Sequence, residues 1–463
     1  MTRGALLTRA VVFALCGGTV VLACRGQTDP PAVAAGAGGA RPLCVGWATA
    51  DITPPRPVAL VGQLYKRISK GVRDPLTATV LALESAGGAK PEQAILVSCD
   101  LLFVQRAIQR RLQEKVRLEL PDFDGAKLFL NATHTHTGPG LVDSTFKGLY
   151  DVSHEAGVMT ASEYGAFFVD RLRAAVVRAW RSRQPGSLSW AQSQAVVSFN
   201  RRARFDNGKS LLYGDTRAPD FAYLEGSEDH TVNLLFFWDT RTNWTGVVIN
   251  VACPAQETEH LKEVSADFWH ETRQELRRRH GADLFILPQC APAGDLSPHL
   301  LYRQATDELM NRRRGLTRRQ EIARRLANAV DDSLAVARAF TQSQVVFRHT
   351  VASVDLPEPQ PIPEPFYETD PVRPAELHVL RLGDVALATC PFELYLDYAV
   401  RIQARSPATP TLLVQLCAGA SGYLPSARAV PGGGYSADRF RVGPEGGQVL
   451  VEETLRQIKG LFP

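Results

Sequence analysis

Short apolar runs recur along this chain, and longer stretches with helical spacing lie between them. The runs predict strands at 79–83, 94–99, 127–130, 232–238, 246–252, 284–288, 377–389 and 411–416. Apolar side chains repeat with the period of a helix at 104–118, 161–182, 266–278, 317–341 and 447–461. Because strands alternate with helices over the whole length, we predict an α/β fold with mixed sheets and flanking helices.

The first 24 residues have the pattern of an export signal. Arg3 and Arg9 precede an apolar run that ends at Ala23, directly before Cys24. This predicts a signal peptide of lipoprotein type at 1–24, with ordinary signal-peptidase cleavage as the alternative. Residues 25–40 are rich in Pro, Gly and Ala and predict a flexible linker. We therefore expect an exported protein, periplasmic or at the cell surface, tethered to a membrane through lipid on Cys24, with 41–463 as one large domain.

Composition narrows the classes of partner. The 463 residues are 45% hydrophobic and 22% charged, which is ordinary for globular proteins. Lys and Arg number 52 against 48 Asp and Glu, so the charge of +4 predicts no nucleic-acid partner. Six of the eight Cys follow residue 24, mostly in apolar runs. We expect buried thiols there, with one or two disulfides as the alternative.

The first segment with chemistry is Asn131-Ala-Thr-His-Thr-His-Thr-Gly-Pro-Gly140, which follows a predicted strand. His134 and His136 are two residues apart, so they share a face of a strand or both turn inward from a loop. Histidine is the commonest metal ligand and a general base near neutral pH. Two incidental histidines are the alternative interpretation.

Three further segments follow other strands. Ser297 precedes Pro298 and is either a nucleophile or the N-cap of a helix. Glu393 follows the strand 377–389, where a carboxylate is well placed for a site or for a helix start. Tyr423 and Tyr435 lie near Gly-rich turns, where they contribute to a site or only pack.

Taken together, these segments resemble the neutral (non-lysosomal) ceramidase family. The resemblance begins at Val45-Gly-Trp-Ala-Thr-Ala-Asp51 and rests on His-Thr-His-Thr-Gly-Pro-Gly and Gly-Asp-Leu-Ser-Pro. It implies a zinc-dependent amidase that separates a fatty acid from a sphingoid base, with an α/β catalytic domain often followed by an immunoglobulin-like domain. Only 28 residues follow Tyr435, so we expect no such C-terminal domain here.

The resemblance also implies roles for single residues. His134, Glu393 and Tyr423 match zinc ligands, and His136 matches a second active-site histidine that moves protons. Ser297 matches the catalytic serine, either as nucleophile or as a hydrogen-bond donor to the tetrahedral intermediate. Tyr435 and Arg201 match groups that stabilise the oxyanion. Asp295 and His299 flank Ser297, and we expect them near the substrate, although Asp295 also suits the Ser297 turn.

One expected ligand is replaced. Where the family has its second zinc histidine, this chain has Cys253, followed by Pro254-Ala-Gln-Glu257-Thr-Glu-His260. Three interpretations are open. Cys253 replaces the histidine as a thiolate ligand, His260 or Glu257 supplies the ligand instead, or the metal is absent. A thiolate would lower the net charge of the zinc site and weaken it as a Lewis acid.

The expected activity is therefore that of an exported, zinc-dependent amide hydrolase acting on ceramide or a related N-acyl lipid or other N-acyl small molecule. One alternative is a metal-independent serine hydrolase that uses Ser297 and His136. The other is a non-catalytic surface lipoprotein that binds lipid or glycan.

Overall fold

Strands and helices alternate along the chain as predicted. The computed structural model describes residues 39–87, 90–146, 148–357 and 370–463. The predicted signal peptide, Cys24 and all but the end of the predicted linker lie outside these residues. Contacts group these described residues as one compact unit.

The strands of the described residues are β1 (Arg41–Asp51), β2 (Thr77–Ser85), β3 (Gln93–Cys99), β4 (Leu128–Ala132), β5 (Gln184–Gln194), β6 (Phe199–Asn200), β7 (Arg202–Phe205), β8 (Ser210–Leu212), β9 (Phe221–Leu224), β10 (Thr231–Asp239), β11 (Trp244–Val251), β12 (Phe285–Cys290), β13 (Leu296–Ser297), β14 (Gln344–Val345), β15 (Phe347–Val354), β16 (Ala375–Leu382), β17 (Val385–Thr389), β18 (Glu393–Leu394), β19 (Thr411–Val414) and β20 (Tyr423–Leu424). The α-helices are α1 (Arg106–Glu119), α2 (Ala161–Arg181), α3 (Phe268–His280), α4 (Gln304–Arg314), α5 (Arg318–Ala339), α6 (Leu396–Arg405), α7 (Tyr435–Asp438) and α8 (Pro444–Leu461).

Two mixed sheets form the centre of the fold. The larger has the order β12-β11-β10-β5-β1-β2-β3-β4, with β14 paired to β1. Its two end pairs, β11–β12 and β3–β4, are parallel, and the pairs between them are antiparallel. The second sheet has the order β15-β16-β17-β19 and ends in the parallel pair β17–β19. This confirms the predicted α/β class with mixed sheets.

The sheets pack face to face between layers of helices. Along β2, Val80 and Ala82 belong to a core shared with α1 and α2, whereas Leu81 and Leu83 face the second sheet. Successive side chains of a strand point to opposite faces, so a strand buried on both faces reads as a continuous apolar run. Helices α3 and α5 cover the other end of the large sheet, and α6 and α8 cover the outer face of the second sheet.

The sequence analysis merged two strands into one and missed several others. The predicted strand 377–389 is a hairpin, β16 and β17, which turns at Gly383 with φ +64°. Strands β1, β5 and β15 escaped prediction because polar or small residues interrupt their apolar positions, so none of them carries a long apolar run. A half-buried strand shows alternation and not a run.

A buried ion pair joins the large sheet to α3. The Asp100 carboxylate, which follows β3, accepts hydrogen bonds from Arg273 NH1 at 2.7 Å and NH2 at 3.0 Å. Burial raises the pKa of Asp100 despite the facing guanidinium. Asp100 also accepts the Thr77 N–H at 2.9 Å. This pair fixes the strand ends from which the site is built.

The six cysteines of the described residues are all free thiols, so the structure places no disulfide among them. No helix in the described ranges is long and apolar enough to cross a membrane.

Candidate functional site

The loop that carries the two histidines leaves β4 at the parallel end of the large sheet. Backbone hydrogen bonds from Thr133 N to Cys99 O (2.9 Å) and from Thr135 N to Leu101 O (3.1 Å) hold it beside the chain that follows β3. His134 lies between them with φ +67°, a left-handed conformation that is uncommon outside glycine. Such strain is found where the surrounding structure demands a particular side-chain direction.

The ring of His134 is oriented by one hydrogen bond. Its Nδ1 lies 2.9 Å from the Leu102 carbonyl oxygen, and its Nε2 lies 3.4 Å from Glu393 Oε2. Burial lowers the pKa of His134 although Glu393 opposes the shift, so the neutral imidazole is favoured. A neutral histidine with Nδ1–H on a carbonyl presents a free Nε2 lone pair.

His136 points into the same cavity. Its Nε2 lies 3.4 Å from His134 Nε2, and its Nδ1 lies 3.4 Å from Glu259 Oε2. Burial, followed by the charges of His134 and Arg201, lowers the pKa of His136 well below its usual value.

Two short strands bring in the carboxylate and a tyrosine. Glu393 of β18 pairs with Tyr423 of β20 in a parallel ladder, so these residues are neighbours although thirty positions apart in sequence. Arg201 NH2 donates to the Gly294 carbonyl at 2.9 Å and to Tyr423 OH at 3.3 Å. The ring of Tyr435 meets that of Tyr423 edge-on, with centroids 5.6 Å apart.

Ser297 and Asp295 lie behind the cavity wall. Ser297 is fully buried, and its Oγ accepts the His299 N–H at 3.1 Å and lies 3.2 Å from Tyr213 OH. Asp295 accepts the Leu396 N–H at 2.9 Å and Asn200 Nδ2–H at 3.3 Å. Burial raises the pKa of Asp295 to about 6. The structure does not place either side chain on the cavity, because both are occupied in holding the Gly-Asp-Leu-Ser-Pro turn.

Tyr213 is a cavity residue that the sequence analysis missed. Its hydroxyl accepts from Gln256 Nε2 at 2.7 Å and from Arg201 NH1 at 3.3 Å, and it contacts Ser297 Oγ. Tyr213 therefore stands between Ser297 and the cavity. It follows β8, far from the other segments in sequence, and no local signal marks it.

The segment after β11 places its residues differently from expectation. Cys253 belongs to the apolar core under α3, with its Sγ 3.3 Å from the Val197 carbonyl oxygen. Burial raises the pKa of this thiol well above its usual value. Cys253 is absent from the described cavity lining, so the structure does not bring this predicted ligand to His134 and Glu393.

The other candidate zinc ligands of that segment do not all face the cavity. Glu257 binds Arg318 through Oε1 at 2.7 Å, outside the cavity lining, and His260 lies at the rim with 74% of its side chain exposed. Of the two acids in this segment, Glu259 lines the cavity. It was passed over because nothing in Glu257-Thr-Glu-His260 indicates which acid faces inward.

His299 also lines the cavity. Its Nε2 lies 2.9 Å from the Gln256 carbonyl oxygen and 3.7 Å from Glu259 Oε1. The first of these contacts fixes the ring at the mouth of the site.

The cavity has a volume of about 760 Å³. Polar side chains from distant parts of the chain line it, among them His134, His136, Arg201, Tyr213, Glu259, His299, Glu393, Tyr423 and Tyr435. The apolar side chains of Leu102, Phe103, Phe146 and Leu149 lie on its wall. A pocket with convergent polar groups and a broad apolar surface suits a ligand with one polar reacting centre and a hydrocarbon part.

The polar side of the cavity fits a metal ion in part. His134 and Glu393 present a nitrogen and an oxygen at the spacing of two ligands of one zinc ion. Within the described ranges, however, no three His, Cys, Asp or Glu side chains form a closed metal-binding group. The set predicted from the sequence is incomplete because Cys253 faces the core.

Comparison with known proteins bears on the fold. No protein-family model and no curated protein matches this chain. Solved structures do match, among them two ceramidases. A ceramidase complexed with C2 has a TM-score of 0.67 and 16% identity, with 90% of this chain and 75% of that chain covered. A neutral ceramidase from Pseudomonas aeruginosa has a TM-score of 0.68 and 16% identity, with 90% and 74% covered. This likeness confirms the predicted resemblance at the level of structure: the chain has the fold of the neutral ceramidases.

Proposed function

We propose that this protein is an amide hydrolase of the ceramidase type that cleaves the N-acyl linkage of a lipid. The observation that carries the proposal is the convergence of His134, Arg201, Glu393, Tyr423 and Tyr435 on one cavity. The fold shared with two ceramidase structures supports it. The apolar wall of the cavity supports a lipid substrate, because burying hydrocarbon there contributes about 25 cal/mol per Å² of apolar surface.

The proposal includes a zinc ion held at His134 and Glu393, with Tyr423 beside them. When bound, zinc supplies Lewis-acid polarisation of the scissile carbonyl. The Leu102 carbonyl keeps the His134 proton on Nδ1 and so keeps Nε2 available as a ligand.

Arg201 stabilises the negative charge that develops on the amide oxygen. Its guanidinium is fixed by the Gly294 carbonyl and by the hydroxyls of Tyr213 and Tyr423. Donors fixed before the reaction need no reorganisation in the transition state, and one such donor contributes about 10²–10³ in rate. Tyr435, edge-on to Tyr423, bounds the same region of the cavity.

Glu259 moves protons in this proposal. Its carboxylate lies at the cavity between His136 and His299. A carboxylate there takes a proton from the attacking water and delivers it to the leaving amine. Ser297 is not assigned the attack, because its Oγ is bound to Tyr213 and the His299 N–H and has no described hydrogen bond to His136.

The direct test is to incubate purified protein with N-acyl sphingoid bases, N-acyl amino sugars and matched esters, and to measure fatty-acid release. We expect release from N-acyl lipids, loss of release on chelation and its return on adding zinc. Glu393→Gln should lower the rate by about 10²-fold or more, whereas Arg217→Gln, at the exposed rim, should not. Chelator-resistant release abolished by Ser297→Ala would support a serine hydrolase instead. Lipid binding without turnover would support a binding protein.

Export and a lipid anchor on Cys24 are also part of the proposal. Cys24→Ser should move the protein from the membrane fraction to the soluble exported fraction. Retention in the cytoplasm would contradict export.

A further inference from the structure

The lone pair of His134 Nε2 faces two other groups. A carbonyl oxygen only accepts hydrogen bonds, so the 2.9 Å contact with Leu102 O places the single proton of neutral His134 on Nδ1. Its Nε2 then lies 3.4 Å from Glu393 Oε2 and 3.4 Å from His136 Nε2. A carboxylate oxygen and a second imidazole nitrogen thus each lie 3.4 Å from one acceptor nitrogen.

His136 has an acceptor on each side. Its Nε2 faces the His134 lone pair, and its buried Nδ1 faces Glu259 Oε2 at 3.4 Å without forming a hydrogen bond. A neutral imidazole has one ring proton and can serve only one of these neighbours. With the proton on Nδ1, toward the carboxylate, two Nε2 lone pairs oppose each other. A cation at this point removes the conflict.

A metal ion satisfies both rings in the same way. Metal-bound histidines commonly donate their other N–H to a carbonyl or carboxylate. Leu102 O would be that acceptor for His134, and Glu259 would be that acceptor for His136. Two ligands bound to tetrahedral zinc at about 2.0–2.1 Å are about 3.3–3.4 Å apart, which is the length of both contacts at His134 Nε2.

The position of His136 is fixed from two sides. Arg67 NH2 donates to the His136 carbonyl at 2.6 Å, and Arg67 NH1 donates to the Glu259 carbonyl at 2.6 Å. One buried guanidinium therefore holds both backbones together. Gly62 lies so close to the ring that an added Cβ would be 2.7 Å from His136 Cγ.

We propose that His136, and not Cys253, supplies the second imidazole or sulfur ligand of a metal bound at His134 and Glu393, with Glu259 orienting His136 through Nδ1–H. This inference rests on the proposed function, because both place the metal ion in the same cavity. Binding has to draw His136 and Glu393 together about His134, because the side chains as described do not form a closed metal group.

The test measures metal binding directly. Zinc affinity is measured by competition with a chromophoric chelator for the wild-type chain and for His134→Gln, His136→Gln and Cys253→Ser. We expect both histidine variants to lose about 100-fold or more in affinity and Cys253→Ser to retain it. In a matched pair, Glu259→Gln should lose about 10–100-fold, whereas Glu257→Gln, whose acid is bound to Arg318, should not.

The absorption spectrum of the cobalt-loaded wild-type protein needs no variant. A site without sulfur shows no thiolate-to-cobalt charge-transfer band, and we expect none. Such a band, unchanged zinc affinity in His136→Gln, or no zinc uptake by the wild-type chain would each overturn the inference.

Fatty-acid release from the same samples separates the two proposals. Zinc bound through His136 without hydrolysis would refute the proposed function and support the ligand assignment. Hydrolysis with zinc affinity independent of His136 would refute the ligand assignment alone.

Discussion

The substitution Gly62→Ala tests whether the position of the His136 ring matters for activity and for zinc binding. Gly62 has φ +108°, and a Cβ at this position would lie 2.7 Å from His136 Cγ and 2.8 Å from Nδ1. Gly62→Ala therefore changes no polar group of the site but pushes against the imidazole. The neighbouring backbone is held by the bond from Val61 N to Gly138 O, so the ring has to yield.

The expected effect of Gly62→Ala has two parts, a loss of folding free energy and a loss of catalytic rate. A non-glycine residue at this φ costs about 1–3 kcal/mol of folding free energy. Ordinary contact begins near 3.4 Å, so the ring or the turn must shift by about 0.7 Å in a close-packed wall. Misplacing a reacting or ligand group by about 1 Å costs about 10²-fold in rate. We therefore expect kcat to fall by about 10–100-fold.

A matched glycine separates strain from displacement. Gly281 has φ +117°, and an added Cβ there meets nothing within 4 Å. Gly281→Ala should show a similar loss of unfolding free energy in urea with unchanged kcat and zinc affinity. Gly62→Ala should lower all three quantities. If Gly62→Ala keeps kcat within about twofold of Gly281→Ala, contact with Gly62 does not set the working position of His136.

Three further predictions concern charged groups. Arg201→Lys should lower kcat by about 10²-fold or more with little change in KM, because a single ammonium lacks the planar fork that reaches Tyr213 with one nitrogen and Gly294 and Tyr423 with the other. Asp100→Asn should lower the free energy of unfolding in urea by about 3 kcal/mol, because it leaves the buried Arg273 charge uncompensated. Asp295→Asn should change the pH dependence of stability. The folded pKa of Asp295, about 6, is above its usual 3.8, so its contribution is complete below 3.8 and is lost as the pH rises through about 6. Above that pH the variant should be more stable than the wild type by up to about 3 kcal/mol.

Variants of the exposed residues Arg217 and Asp215 are the controls for these predictions. Arg217→Lys at the cavity rim should leave kcat unchanged, and Asp215→Asn, in the exposed pair with Arg217, should change stability by less than about 1 kcal/mol. Equal effects of Arg201→Lys and Arg217→Lys would contradict the assigned role of Arg201. A wild type and an Asp295→Asn variant with parallel stability curves between pH 4 and pH 7 would contradict the burial argument.

Apolar runs predicted strands β2, β3, β4, β10, β11, β12 and β19, and helical spacing of apolar residues predicted helices α1, α2, α3, α5 and α8. A strand such as β2, buried on both faces, carries an uninterrupted apolar run from Val80 to Leu83. Strands β1, β5 and β15 were missed because polar or small residues interrupt the apolar residues of each, so no long apolar run marks them. Their place in the sheets depends on pairing with distant strands and not on local preference.

At the site, the motifs predicted which strand ends meet. His134, Glu393, Tyr423 and Tyr435 stand beside turn residues that fix the local chain direction, and the sheets carry those ends to one cavity. The sequence by itself determined the fold class and this group of side chains.

Only the tertiary structure decided which neighbours of these residues face inward. Cys253 turns to the core beside Val197, Ser297 is covered by Tyr213, and Glu259 faces the cavity while Glu257 binds Arg318. Each outcome depends on a partner from a remote segment, and a local pattern holds no information about such partners. Side-chain direction in a loop follows from packing and hydrogen bonds that exist only after the whole chain has folded.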